Sequence, residues 1–416
     1  MLMVNLATSL SGGAGIGMLR YHQAMLAAGV DSRIIVGDSS AVESPNVAVA
    51  SQRPISILHR LARRVGVPLD PSVRMVMAVE RLDSAAGRRK CYELFSPPFS
   101  RCRPEEHPWV QEAGLLNLHW VAGTVDWVSF FRSIELPLIF TLHDQQPYLG
   151  GFHYARDLEA NPLLGRLEAE VREIKRASLR GRQITVIGNS EWNTREARLS
   201  GFFPPETSYH TVYYPLDTLV YTPRPKDAAR AAMGIDPARI VIGFACEDLS
   251  NRRKGFDILL DALEMLPNSL AARCCLLSFG REASQSVRNR LPMPWIHLGH
   301  QQADPVKVAA YSAMDLFVVP SRAEAFGQTA IEAIACHTPV VCSKEGGLSE
   351  AIFQGEGGIL FETGNPNELS AAVRSLAESQ ELRTMLMARG RALVVERHDT
   401  RQIARQCLQL YKSILA

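Results

Sequence analysis

Two carboxylates, Glu324 and Glu332, stand with seven residues between them in the stretch DLFVVPSRAEAFGQTAIEAIACHTPVVCS, residues 315–343. A carboxylate accepts two hydrogen bonds at once, which suits the vicinal hydroxyls of a ribose or a hexose. The apolar runs 316–319 and 340–342 read as buried strands, and a helix-period segment spans about 328–336. In such a strand–loop–helix unit the first carboxylate falls on the loop and the second on the helix. The helix start at Gln328 presents unpaired backbone N–H groups and a partial positive charge, which suits a phosphate. Gly327 lets that backbone approach a ligand closely. The chemistry implied is recognition of a sugar nucleotide. Two glutamates eight positions apart also occur on ordinary solvated helices, so the flanking pattern carries the weight: Pro320-Ser321 before, Phe326-Gly327 between, and a strand with Gly346-Gly347 after.

Three further clusters fall at expected strand ends. Arg252, Arg253 and Lys254 precede Gly255 and an amphipathic helix running to about residue 266; three cations there are poorly placed unless an anion binds, the alternative being a solvated basic turn. His119-Trp120 follows the apolar run 115–118, and His143-Asp144 follows 138–142. Ligands of parallel α/β sheets bind outside the carboxyl ends of strands, so both histidines fall at that rim, although a lone histidine is more often structural. Near the N-terminus an apolar run, 2–6, leads into SGGAG, 11–15, and a helix expected over 16–28. Gly13, Gly15 and Gly17 do not complete the dinucleotide fingerprint, so either an anion-binding corner or a structural turn fits. Ser190, ending the run 184–190, either touches a ligand or caps the next helix, and a further strand leaving the domain is expected over 211–214.

These motifs together resemble the retaining glycosyltransferases of family 4. The resemblance rests on PS…E…FG with its second glutamate and Gly-Gly turn, on RKG-x-x-x-L-L-x-A-L from Arg253, on GGAG followed by R-x-H, and on TLHD followed by P-Y-x-G-G-x-H-Y. It spans nearly the whole chain, with residues 41–109 covered least. It implies an α/β GT-B fold: two facing Rossmann-like domains with parallel sheets and an interdomain cleft. Residues 1–215 would form the acceptor domain, with a basic excursion over 41–109, and 216–398 the donor domain. Residues 399–416 would return to pack on the first domain, and the proline-rich 213–225 would be the hinge. His143 and Glu324 would be catalytic. Gly13, Gly15, Arg253, Lys254, Gly299, Glu324, Phe326, Gly327, Gln328 and Glu332 would bind the donor, with Glu324 on the sugar and Glu332 on the ribose. Gly12, Asp144 and His119 would face the acceptor. Glu324→Gln should then spare binding of the free nucleoside diphosphate.

The implied reaction is retaining, metal-independent transfer from a nucleotide sugar to a hydroxyl of a glycan or lipid-linked acceptor in cell-surface polysaccharide synthesis, without a cofactor. Arg253 and Lys254 would balance the diphosphate charge. The sequence departs from the family at Phe152, where a cysteine is usual, and at Arg253, which most members place several residues earlier. A nucleotide-sugar epimerase, a pyridoxal-dependent phosphorylase or a silent scaffold of a glycan assembly complex are the alternatives.

The rest of the chain must position these groups. Its 416 residues suit two domains, and 46% hydrophobic with 21% charged residues suits large buried cores. A net charge of +2 makes no case for nucleic acid. Eight cysteines without paired metal spacing read as buried thiols in a reducing compartment. The N-terminus lacks a basic leader, and no apolar run reaches about 18 residues, so a cytoplasmic protein is expected. Residues 53–103 carry eleven Lys and Arg against four Asp and Glu, which suggests an anionic acceptor or a peripheral membrane surface as well as a plain solvated excursion.

Overall fold

The computed structural model describes residues 2–41, 43–54, 70–85, 92–281 and 288–415. They divide into two compact units, one running to Val212 and resuming at Ala404, the other covering Tyr213–Ile403. In the first unit the strands of the main sheet are β1 (Leu2–Ala7), β2 (Asp31–Val36), β3 (Val47–Val49), β4 (Leu115–Leu118), β5 (Leu138–Leu142), β6 (Ile184–Gly188) and β7 (Ser208–Thr211). They form one sheet in the order β3-β2-β1-β4-β5-β6-β7, parallel throughout. The central strands are almost continuously apolar because helices cover both faces of such a sheet. Val4, Leu6, Leu116, Leu118, Phe140 and Trp127 are buried in its main core.

In the second unit β8 (Ile240–Asp248), β9 (Cys274–Arg281), β10 (Trp295–His297), β11 (Leu316–Val319), β12 (Val340–Ser343) and β13 (Gly358–Phe361) pair in the order β10-β9-β8-β11-β12-β13, again all parallel. In each sheet the chain order reverses beside one strand, at β1/β4 and at β8/β11. Loops leaving such neighbours diverge and open a crevice at the carboxyl edge. The glutamate and arginine–lysine motifs leave β11 and β8, and His119 leaves β4.

Two boundaries differ from the sequence expectation. The first helix begins at Gly12, inside the glycine run, and extends to Ala27; Ser11 is its extended N-cap. Gly12 opens the helix at φ 72°, in the left-handed region that glycine takes without strain, and Gly13 and Gly15 continue within it. The last strand of the first unit is Ser208–Thr211, not residues 211–214. Its ladder ends where the Val212 amide donates to the Gly188 carbonyl at 3.0 Å, and the chain then enters the second unit. There Leu216 and Thr400 exchange backbone bonds with His398 and Leu216. The Arg391 guanidinium donates to the carbonyls of Thr218 and Tyr221. The final helix, Thr400–Leu415, belongs to the first unit from Ala404 onward, and the Gln406 amide donates to the Thr211 carbonyl at 3.2 Å.

Among the described residues, no helix is long and apolar enough to cross a membrane. The described cysteines are free thiols, all buried except half-buried Cys246. Much of the basic excursion, including Arg60, Arg63 and Arg64, lies outside the described residues. Arg103, counted in that charge excess, is buried and donates to the carbonyls of Ser100 and Cys102, so it is not available for direct contact with a surface partner.

Candidate active site

The second unit brings the cationic and carboxylate motifs together. Arg252–Lys254 form one helical turn after β8, with the Asn251 side chain accepting the Arg253 amide at 3.0 Å. The loop after β11 is stitched to it: the Arg322 amide donates to the Arg253 carbonyl at 2.7 Å, and Arg253 Nη1 to the Ala323 carbonyl at 3.0 Å. Gly255, at φ 71°, passes so close that a Cβ there would lie 2.0 Å from the Pro320 oxygen, so no side chain fits. The consequence is an ion pair, Lys254 Nζ to Glu324 Oε2 at 2.5 Å, with Arg253 Nη1 3.7 Å from the same oxygen. The turn after β12 joins them, the Gly347 amide donating to the Glu324 carbonyl at 3.3 Å.

Glu332 sits on the helix Gln328–Ala335 and is 5% exposed. Its Oε2 accepts from the Tyr311 hydroxyl at 2.9 Å. Burial, with the Glu332 charge beside it, raises the Tyr311 pKa well above its ordinary value, so the phenol stays a donor. Gly327 caps this helix at φ 110° and offers no side chain to its first amides, leaving Gln328 at the N-terminal turn. Gly299 follows β10, and its carbonyl accepts from the Gly280 amide at 2.9 Å. Phe326 is only 1% exposed; its ring packs on Tyr213, Tyr214 and His398 with centroids 5.4–5.8 Å away, which anchors the glutamate loop. Arg253, Lys254, Gly299, Glu324, Phe326, Gly327, Gln328 and Glu332 all follow the carboxyl ends of their strands in the chain.

The first unit assembles a second cluster at its own switch point. Asn5 of β1 donates from Nδ2 to the Arg33 carbonyl and to Ser32 Oγ, which orients its Oδ1 as an acceptor. His119 Nε2 lies 3.1 Å from that oxygen, and His119 Nδ1 lies 2.9 Å from His143 Nε2. His119 therefore carries its proton on Nε2, and His143 donates from Nε2 to His119 Nδ1. Burial lowers both pKa values, that of His143 to about 4, so both rings are neutral at physiological pH and His143 Nδ1 is an acceptor. Asp144 Oδ2 takes Trp120 Nε1 at 2.7 Å and His153 Nδ1 at 2.6 Å, and its Oδ1 takes the Gln146 amide. Burial opposes ionisation of Asp144, but its contact with His153 and these hydrogen bonds outweigh that and lower its pKa below the ordinary carboxylate value.

Placed by element, Gly12, Gly13 and Gly15 lie in the first helical turn after β1. His119, at 1% exposure with both ring nitrogens taken by protein, stands one bond behind His143. Ser190 caps its helix, accepting the Asn193 amide at 3.0 Å. Phe152 is fully buried, edge-on to Tyr92 and Phe95. Asn5 went unread in the sequence; its only signal is a polar residue inside the apolar strand LMVNLA. Among the described residues, no group of three or more His, Cys, Asp and Glu could hold a metal ion.

The buried neutral histidines make a pH prediction. Unfolded histidine titrates near 6.5, and burial depresses His143 and His398 to about 4. The unfolded chain therefore binds more protons in this window. The stabilising contribution is complete above about pH 6.5 and is lost as pH falls toward 4, by roughly 1.4 kcal/mol per pH unit for each residue. Urea unfolding is expected to show a lower midpoint at pH 5 than at pH 7; equal midpoints would contradict burial of the neutral rings.

Residues 232–393 match the sequence model of the family described as Glycosyl transferases group 1. A D-inositol 3-phosphate glycosyltransferase of Segniliparus rotundus is 29% identical over 286 residues, 66% of this chain and 60% of the relative. A D-inositol 3-phosphate glycosyltransferase 1 of Catenulispora acidiphila is 30% identical over 283 residues, 65% of each. The chain thus spans about 60–65% of the length of these curated relatives. Among solved structures, sucrose-phosphate synthase from Thermosynechococcus elongatus superposes with a TM-score of 0.71 at 20% identity, over 100% of this chain and 99% of that one. Anabaena HepE in complex with UDP and glucose gives 0.66 at 20% identity over 99% of each. The chain therefore has the two-unit parallel α/β fold of the GT-B glycosyltransferases, and its residues 232–393 are similar to the glycosyl transferases group 1 model.

Proposed function

We propose that this protein transfers a sugar from a nucleotide sugar to an acceptor hydroxyl, with retention at the anomeric carbon and without a resident metal. The observation that carries the reading is the Lys254–Glu324 pair with Arg253 beside it, at the switch point of the sheet inside the family-matched segment. Lys254, Arg253 and the helix start at Gly327 would take the charge of the departing diphosphate. Glu324 would hold a sugar hydroxyl and Glu332, positioned by Tyr311, the ribose. His143 would act as a neutral hydrogen-bonding group that orients the reacting sugar and acceptor, with Asp144 behind it. The relatives' names favour a phosphorylated polyol such as an inositol phosphate as acceptor over a glycan or lipid-linked chain.

The test uses Glu332→Gln, with the nucleoside diphosphate chosen by thermal shift from UDP, GDP and ADP. A charge-assisted hydrogen bond contributes roughly 1.5–3 kcal/mol, so affinity for that ligand and for its sugar conjugate should both fall about ten- to a hundredfold. Calorimetry in the presence of a chelator measures this. Unchanged affinity in the variant, or binding in the wild type only after a divalent ion is added, would count against the reading.

A further inference from the structure

The turn between His143 and Tyr154 is gripped by one helix, Gly165–Ser178, through groups on a single stripe. Lys175 is fully buried, and its Nζ donates to the carbonyls of Gln146 at 2.5 Å, Leu149 at 3.0 Å and Gly150 at 3.0 Å. Two turns earlier, buried Glu168 accepts the amides of Gly150 at 2.5 Å, Gly151 at 2.6 Å and Phe152 at 3.1 Å. Between them Arg172 Nε donates to the Tyr148 carbonyl at 3.2 Å. Positions i, i+4 and i+7 share a helix face, so one surface supplies donors to the first half of the turn and acceptors to the second.

Three features go beyond packing. The three carbonyls match the three protons of an ammonium group; burial lowers the Lys175 pKa to about 7, while the charges of Glu168 and Asp144 oppose that. A dehydrated cation and carboxylate are costly to bury, and an apolar pair would fill the same space. The Gly-Gly step leaves no room for side chains: a Cβ on Gly150 would lie 2.1 Å from the Glu168 carbonyl oxygen, and one on Gly151 would lie 2.3 Å from the Phe95 ring. The gripped turn also leads back to the site. Tyr148 donates to Asn193 Oδ1 at 2.8 Å, the Gln145 amide donates to the His153 carbonyl at 3.1 Å, and His153 holds Asp144.

We propose that Glu168 and Lys175 are positioning residues for His143 and Asp144, clamping the Gly-Gly turn so that the His143 ring keeps its neutral, dry setting; this rests on the transfer reading of that rim. Lys175→Met keeps the length and the apolar contacts and removes the donors. The probe is nitrogen-15 NMR of the histidine rings, without any sugar nucleotide, so its outcome is separate from whether the chain transfers sugar. Asp144 and His119, the titratable groups beside His143, are unchanged in the variant. In Lys175→Met the His143 titration should move up toward 6.5 by about one unit as water enters, while His398 in the other unit stays. A His143 titration identical to wild type, or an equal shift at His398, would overturn the proposal. If Lys175→Met does not fold, Glu168→Gln carries the same readout, with the same direction expected and the same result overturning it.

Discussion

Glu324→Gln is expected to bind the free nucleoside diphosphate about tenfold more tightly than the wild type while losing turnover by roughly 10²–10³-fold. Lys254 is held 2.5 Å from the Glu324 carboxylate, with Arg253 3.7 Å from the same oxygen. An entering diphosphate must take those cations from the glutamate. Removing its charge ends that competition and keeps the side chain's shape. The Lys254 and Glu324 side chains are 24% and 14% exposed, so solvent weakens the pair, and the gain is set near the lower end of a charge-assisted bond, about 1.4 kcal/mol. Turnover falls for the opposite reason, since Glu324 is the group placed to hold the sugar. Assigning Glu324 to the sugar alone leads one to expect unchanged diphosphate binding; the ion pair reverses that expectation. Diphosphate release from the sugar nucleotide, assayed beside wild type, measures the loss, and turnover within twofold of wild type would remove Glu324 from the reaction.

His143→Ala should reduce turnover by at least about a hundredfold with nucleoside diphosphate affinity unchanged. The ring's protonation is set by a buried line of bonds, Asn5 to His119 to His143, and misplacing an orienting group by about an ångström already costs about that factor. The cations and glutamates assigned to the nucleotide are in the other unit, so binding is spared. Steady-state kinetics with calorimetry separates the two quantities. A variant with wild-type turnover, or one that loses nucleotide affinity to the same degree, would contradict the assignment of His143.

The parallel strands were legible because two-faced burial leaves near-continuous apolar runs such as LLNL, LIFTL and LFVV. Helix starts were less so: SGGAG looks like a loop, yet Gly12 already lies in the helix. In the second unit the sequence pointed to Arg253, Lys254, Glu324 and Glu332 but not to the Lys254–Glu324 pairing, since they are 70 residues apart and meet only through β8/β11 adjacency. Phe326 had the spacing of a ligand contact, and its ring is packed on Tyr213, Tyr214 and His398. Glu168 and Lys175 were invisible for a general reason. Charged residues on an amphipathic helix are taken as solvated, and only the fold shows that a turn's backbone covers them.

The most direct test is one calorimetric comparison, titrating the preferred nucleoside diphosphate into wild type, Glu324→Gln and Glu332→Gln. If Glu324 competes for Lys254 and Glu332 holds the ribose, the two substitutions move affinity in opposite directions, tighter for the first by about tenfold and weaker for the second by about ten- to a hundredfold. Equal losses in both variants, or no change in either, would contradict the donor site built on Lys254, Glu324 and Glu332.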